Sequence, residues 1–198
     1  MQFNGTGADP VVIGPIGNST IEPMSLSDLN KGVAYIENGE KINAPSDFSE
    51  KNYLPLRSLH DVMKRLMFPE KFTEEQRFHL SPAHQVFVLN TMQTLPREVD
   101  YEETEFPDGY AKFLVLSGLE GRAPEHLEVH NKSGGAYGYL TDKAYILDKK
   151  SRREFIITAS IHVNANQKFN DNEYEYEYEE LGVPFLRELG HQLIGFGE

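Results

Sequence analysis

The chain has no cysteine and no tryptophan in its 198 residues. Without cysteine there is no disulfide framework, no thiol nucleophile and no thiolate metal ligand. The compartment stays open, because cysteine-free chains occur inside and outside cells. No apolar run is long enough to cross a bilayer, so no membrane span is expected. The opening Met1-Gln2-Phe3-Asn4-Gly5-Thr6-Gly7-Ala8-Asp9 lacks the basic and apolar regions of a signal peptide. Positive charge is scarce: 19 Lys and Arg stand against 31 Asp and Glu, for a net charge of -12. That sign is wrong for a general phosphate-binding surface, so no nucleic acid partner is expected.

Several catalytic signatures are missing as well. There is no Gly-x-Ser-x-Gly elbow, no Ser-x-x-Lys and no Ser-Asp-Asn; Ser27-Asp28-Leu29 and Ser46-Asp47-Phe48 begin correctly but lack the amide. His126 and His130 share one face of a strand but lie roughly 13 Å apart at its rise per residue, too far to share a metal. No cofactor is expected.

What is present reads as one domain over residues 1–198, in four parts. Residues 1–52 are rich in loop formers, with Asn38-Gly39 as a two-residue hairpin signal. Residues 53–96 are helical: Leu56, Leu59, Val62, Met63 and Leu66 keep helical spacing up to Pro69. Thr73-Glu74-Glu75-Gln76 is a capping box, and Ser81-Pro82 starts a helix carrying Val86, Phe87, Leu89 and Met92. Residues 97–124 are acidic and aromatic, with 110–116 as a strand or helix. Residues 125–198 alternate as strands and end in a helix whose Phe185, Leu186, Leu189, Leu193 and Phe196 form an apolar stripe for the sheet. In the strand over 155–163 the odd positions are apolar and the even ones mixed, which suits a sheet with helices on one face and polar groups on the other. The run 173–180, alternating Glu and Tyr, reads as a solvated loop, with a cation site as its other reading.

The richest stretch is Asn131-Lys132-Ser133-Gly134-Gly135-Ala136-Tyr137-Gly138, which follows the alternating run His126-Leu127-Glu128-Val129-His130. A period of two puts Lys132 and Gly134 on one side and Ser133 on the other. Strand-end twist is expected to turn the Ser133 hydroxyl into a cleft. The Lys132 ammonium favours an anionic substrate or a deprotonated nucleophile beside it. Gly134 and Gly135, lacking a Cβ, let an extended substrate pair as an added strand.

Lys132-Ser133-Gly134 is a Lys-(Ser/Thr)-Gly triplet, followed by strands over 143–147 and 155–163 and a helix over 184–194. From residue 54 onward this order resembles the C-terminal part of the serine β-lactamases and penicillin-binding transpeptidases. The resemblance implies an α/β (α+β) fold: helices, then a three-stranded antiparallel meander, then a terminal helix packed on the sheet. It implies acyl transfer on a β-lactam or a peptidoglycan-type peptide amide, in a periplasmic or exported setting and with no cofactor. Lys132 would supply electrostatic activation and Gly135 N–H an oxyanion-hole donor; Ser133 and Gly134 would bind substrate. Residues 97–124 would be an insertion at the rim. Because Ser-x-x-Lys is absent, the expectation is the C-terminal part of a longer serine hydrolase, inactive alone, that self-associates or pairs with a missing N-terminal half. The alternative is a non-catalytic peptide-binding or structural module of the same fold.

Overall fold

The computed structural model describes residues 25–99, 105–119, 121–171 and 176–195. Helices and strands are mixed in an α+β arrangement around an antiparallel meander of β5 (Leu127–Ala136), β6 (Tyr139–Asp148) and β7 (Arg153–His162), in spatial order β5-β6-β7. Its first hairpin is set by Tyr137 and Gly138, both at positive φ (55° and 79°), the two-residue geometry whose twist matches the strands it joins. A Cβ on Gly138 would lie 2.8 Å from the Val163 carbonyl, so only glycine fits there.

Before the meander come β1 (Asn30–Lys31), β2 (Ala34–Glu37), β3 (Glu40–Ile42) and β4 (Ser46–Asp47). The Asn38-Gly39 signal is realised as the β2–β3 hairpin, with φ of 52° and 82°. β2 also pairs in parallel with β8 (Lys168–Phe169), a long-range contact that local patterning does not reveal. Tyr137 then packs edge to face with Phe48 and Phe169, which are themselves tilted against each other, fastening these small sheets to the tip of the meander.

Helix α1 (Leu56–Met67) ends before Pro69, and α2 (Pro82–Gln93) begins at Ser81, whose Oγ accepts the His84 N–H at 3.2 Å. Between them a 3-10 turn over Glu74–Gln76 carries the capping bond from Thr73 N–H to Gln76 Oε1. Both helices cover the face that carries the even-numbered residues of β5 and β7 and the odd-numbered residues of β6. His60 of α1 bonds Thr158 of β7 through Nδ1 at 3.2 Å, and His130 of β5 bonds the Leu89 carbonyl of α2 at 3.0 Å. The expected open polar face is therefore covered, its polar groups paired with the helices or across strands, as Thr141 is with Ser160.

On the opposite face, residues 105–119 and α3 (Val183–Ile194) enclose the main core of Leu114, Val115, Leu116, Val129, Ile146, Ile157 and Ile194. Each fully buried aliphatic chain here contributes about 1.5–3 kcal/mol. The terminal helix is present, but its buried stripe is Leu186, Gly190 and Ile194, whereas Phe185 and Leu193 are exposed; Phe196 lies outside the described residues. Gly190 explains the rotation. A Cβ there would meet the Val115 backbone nitrogen at 2.9 Å, so this side turns inward to let helix and loop touch.

Candidate functional site

Among the described residues β5 is an edge strand paired only with β6, and it extends through the whole Lys132-Ser133-Gly134-Gly135 run. The triplet thus lies inside the strand, ahead of the hairpin. Its backbone directions follow from two bonds. Lys149 N–H donates to the His126 carbonyl, so even positions of β5 face β6; the Val129 carbonyl accepts Lys112 Nζ at 3.1 Å from outside the sheet. In an antiparallel ladder these directions alternate, so Val129, Asn131, Ser133 and Gly135 aim their N–H and C=O groups outward.

The two halves of that edge are finished differently. Over Val129 to Asn131 it is sealed by Lys112, which is 4% exposed and donates to the carbonyls of Met92 (2.9 Å) and Val129 and to Asn131 Oδ1 (3.0 Å). Asn131 Nδ2 donates to the Ala111 carbonyl at 2.8 Å and to Asp142 Oδ1 at 3.0 Å, and Asp142 Oδ2 accepts the Leu114 N–H at 3.1 Å. Burial pushes the Lys112 ammonium down to about 8, against the pull of Asp142 and Glu98. Burial likewise raises the Asp142 carboxyl, against its hydrogen bonds from Leu114 and Asn131 and the charge of Lys112. This chain of bonds clamps residues 105–119 onto the sheet. The segment is a series of tight turns, with Ala111 and Val115 at φ of 57° and 79°; the Leu116 N–H to Leu114 carbonyl bond closes a γ-turn around Val115. His191 Nε2 holds the Val115 carbonyl at 2.8 Å. Asp108 fixes both ends, pairing with Arg97 and accepting the Ala123 N–H at 2.6 Å.

Over Ser133 to Ala136 the edge is open. Gly134 to Ala136 are exposed, and among the described residues nothing lies within 4 Å of a Cβ built on Gly134. Two cavities flank this half, separated by Tyr110 and Ala111. One, of about 430 Å³, is lined by Met92, Leu95, Val99, Lys132 and Ser133; the other, of about 450 Å³, by Phe113, Gly135, Leu140, Tyr178 and Val183.

The four candidate residues fall together on this strand with alternating directions. Lys132 is exposed, its Nζ against the Ser133 carbonyl. Ser133 lies on the opposite side, its Oγ donating to the Ala111 carbonyl at 2.6 Å. The Gly135 N–H faces outward beside the second cavity. Directly across the ladder from Lys132 stands Lys143, and neither has an ion-pair partner among the described residues. Burial and then the Lys132 charge hold the Lys143 ammonium below its ordinary value. Two lysines face to face in a chain this acidic form a local anion-attracting spot.

Sequence reasoning passed over Lys112, Asp142 and Lys143. A signal existed for two of them: Lys112 interrupts the apolar run 111–116, and Asp142 sits in the alternation Leu140, Asp142, Ala144, Ile146, where the core demands an apolar side chain. The tyrosines of the acidic run have structural partners, Tyr178 Oη accepting the Gly138 N–H at 2.8 Å and Tyr176 Oη the Asn170 N–H at 3.2 Å; residues 173–175 lie outside the described residues. Among the described residues no group of three or more His, Asp or Glu could hold a metal, and no helix is long and apolar enough to cross a membrane. Family models, curated proteins and solved structures give no match to this chain.

Proposed function

We propose that the open half of β5 is the substrate-reading strand of a serine acyl-transfer hydrolase of the β-lactamase and transpeptidase class, acting on a β-lactam or a peptidoglycan-type peptide amide. The observation that carries this reading is the outward-facing backbone of Ser133 and Gly135 on an edge unpaired among the described residues, with Lys132 and Lys143 at opposed positions of the ladder beside it. An extended acyl donor pairs with that edge as an added strand, and the outward-facing Gly135 N–H would donate to an oxyanion. The lysine pair draws an anionic substrate toward the edge, and the Ser133 hydroxyl, on the other face of the strand, is a further donor to that substrate once it leaves Ala111. The nucleophilic serine and its lysine base come from outside this chain, since no Ser-x-x-Lys occurs in it.

A second reading, a peptide-binding module without catalysis, draws on the internal use of both functional groups: Ser133 Oγ bonds Ala111, and Lys132 bonds its neighbour's carbonyl. Intact-mass analysis after incubation with a fluorescent penicillin separates the two. The enzyme reading expects an acyl adduct only when this chain is joined to a polypeptide carrying Ser-x-x-Lys. Absence of an adduct in both cases favours the binding module, and an adduct on this chain alone contradicts the assignment of the nucleophile.

A further inference from the structure

The far edge of the meander is finished unlike the first. Among the described residues no strand pairs with the outer side of β7, and β7 runs in register with β6 over ten residue pairs without a bulge. After Arg153 and Glu154 it reads Phe-Ile-Ile-Thr-Ala-Ser-Ile, with no proline and no inward charge, the usual devices that protect an edge. The alternation set by Val129 carries across the ladder. Leu140, Asp142, Ala144 and Ile146 direct their backbone groups to Ile161, Ala159, Ile157 and Phe155, so Glu154, Ile156, Thr158, Ser160 and His162 direct theirs outward.

We propose that this edge pairs with β7 of a second copy of the chain, antiparallel about a two-fold axis at Thr158. Such an axis, normal to the sheet, keeps like faces together and brings residues of equal parity opposite each other. Centring on Thr158 sets Ile156 against Ser160, Phe155 against Ile161, Ile157 against Ala159 and, at both ends, the exposed Glu154 against the exposed His162. Centring on Ile157 instead would face Glu154 with Ser160 and set His162 against Arg152, beyond the end of the strand. Pairing of the Glu154 carboxylate with the His162 imidazole, acceptor against donor, therefore selects the first register. The interface is isologous, closes on itself and joins two three-stranded sheets into one of six.

Analytical ultracentrifugation over a range of concentrations, with cysteine variants of this cysteine-free chain, tests the proposal. Opposed residues at a hydrogen-bonded antiparallel position lie about 5.5 Å apart between Cα atoms, within disulfide reach. The expected results are a dimer, a covalent dimer on oxidation of Thr158→Cys but not of Ile157→Cys, at least tenfold weaker association in Glu154→Lys, and recovery in Glu154→Lys/His162→Glu. A monomer at every concentration overturns the proposal. So does crosslinking through Ile157→Cys in place of Thr158→Cys. A dimer indifferent to Glu154→Lys but broken by Phe87→Asp also overturns it, by moving the interface to α2, where Val86 and Phe87 are exposed.

Discussion

Asn131 donates its side-chain N–H to Asp142 across the β5–β6 ladder at 3.0 Å, on the face of the sheet packed against residues 105–119. Through this bond, and through Asn131's acceptance of Lys112, a fully buried carboxylate and a nearly buried ammonium share one amide. A buried charge stripped of its partners is costly, so Asp142→Ala is expected to lose about 3–5 kcal/mol of unfolding free energy, read by urea denaturation. Lys112→Met/Asp142→Asn should lose less than the sum of its single variants, because the two charges belong to one network. Additive losses would show that the groups act separately.

The same lysine dictates a pH dependence. In the folded chain Lys112 gives up its proton near 8, against an ordinary value of 10.5. Between those values the unfolded chain binds more protons, so stability rises with pH, by at most roughly 1.4 kcal/mol per pH unit. Tyr145, pushed up to about 12 mainly by burial, acts in the opposite sense once the unfolded tyrosine begins to ionise near 10. The clean window is therefore pH 8 to 10. Within it the unfolding free energy of the wild type should gain steadily on that of Lys112→Met; a constant difference would contradict the burial of that ammonium.

Lys132 and Lys143 oppose one another across the ladder, and neither has an ion-pair partner among the described residues. Lys143→Met should therefore stabilise the protein by about 0.2–1 kcal/mol, the usual size of a cross-strand pair, while weakening binding of a carboxylate-bearing β-lactam severalfold in calorimetry. Loss of stability, or unchanged binding, would remove the anion-attracting role.

The two strand glycines differ. Gly134 has open space where a Cβ would go, so Gly134→Ala should stabilise by about 0.5–1 kcal/mol through the smaller entropy cost of alanine. At Gly135 the added carbon would come within 2.9 Å of Leu140 Cδ2 and reach toward the second cavity, so Gly135→Ala should destabilise and also weaken substrate binding. Thermal unfolding of the two variants reads the contrast; equal shifts would mean that Leu140 yields without cost.

Elements written in local pattern were legible in the sequence. The Asn38-Gly39 hairpin, the Ser81-Pro82 helix start and the alternation of β7 each depend on a few neighbouring residues, and each appears in the fold. The strand over 126–130 was legible for the same reason, but its continuation through Ala136 was not: Ser133 sits mid-strand with its hydroxyl on the Ala111 carbonyl, where a strand end was expected. Residues 105–119 were not, because their shape comes from contacts far along the chain: Leu114 held by Asp142, Val115 by His191, Lys112 by Met92 and Val129. An apolar run such as 113–116 has no period of its own once it is wound into turns. The phase of α3 was missed for a related reason, since Gly190 faces inward to admit a backbone, and a hydrophobic stripe does not record that.

The most direct test of the account is an amide-resolved NMR titration of this chain with a carboxylate-bearing β-lactam. Binding at the open edge requires the largest shifts at the N–H groups of Ser133 and Gly135 and at Ala136, with the Lys112-sealed stretch of Val129 to Asn131 unmoved. Shifts absent from Ser133 to Ala136, or centred on another surface, would contradict the assignment of β5 as the strand that reads substrate.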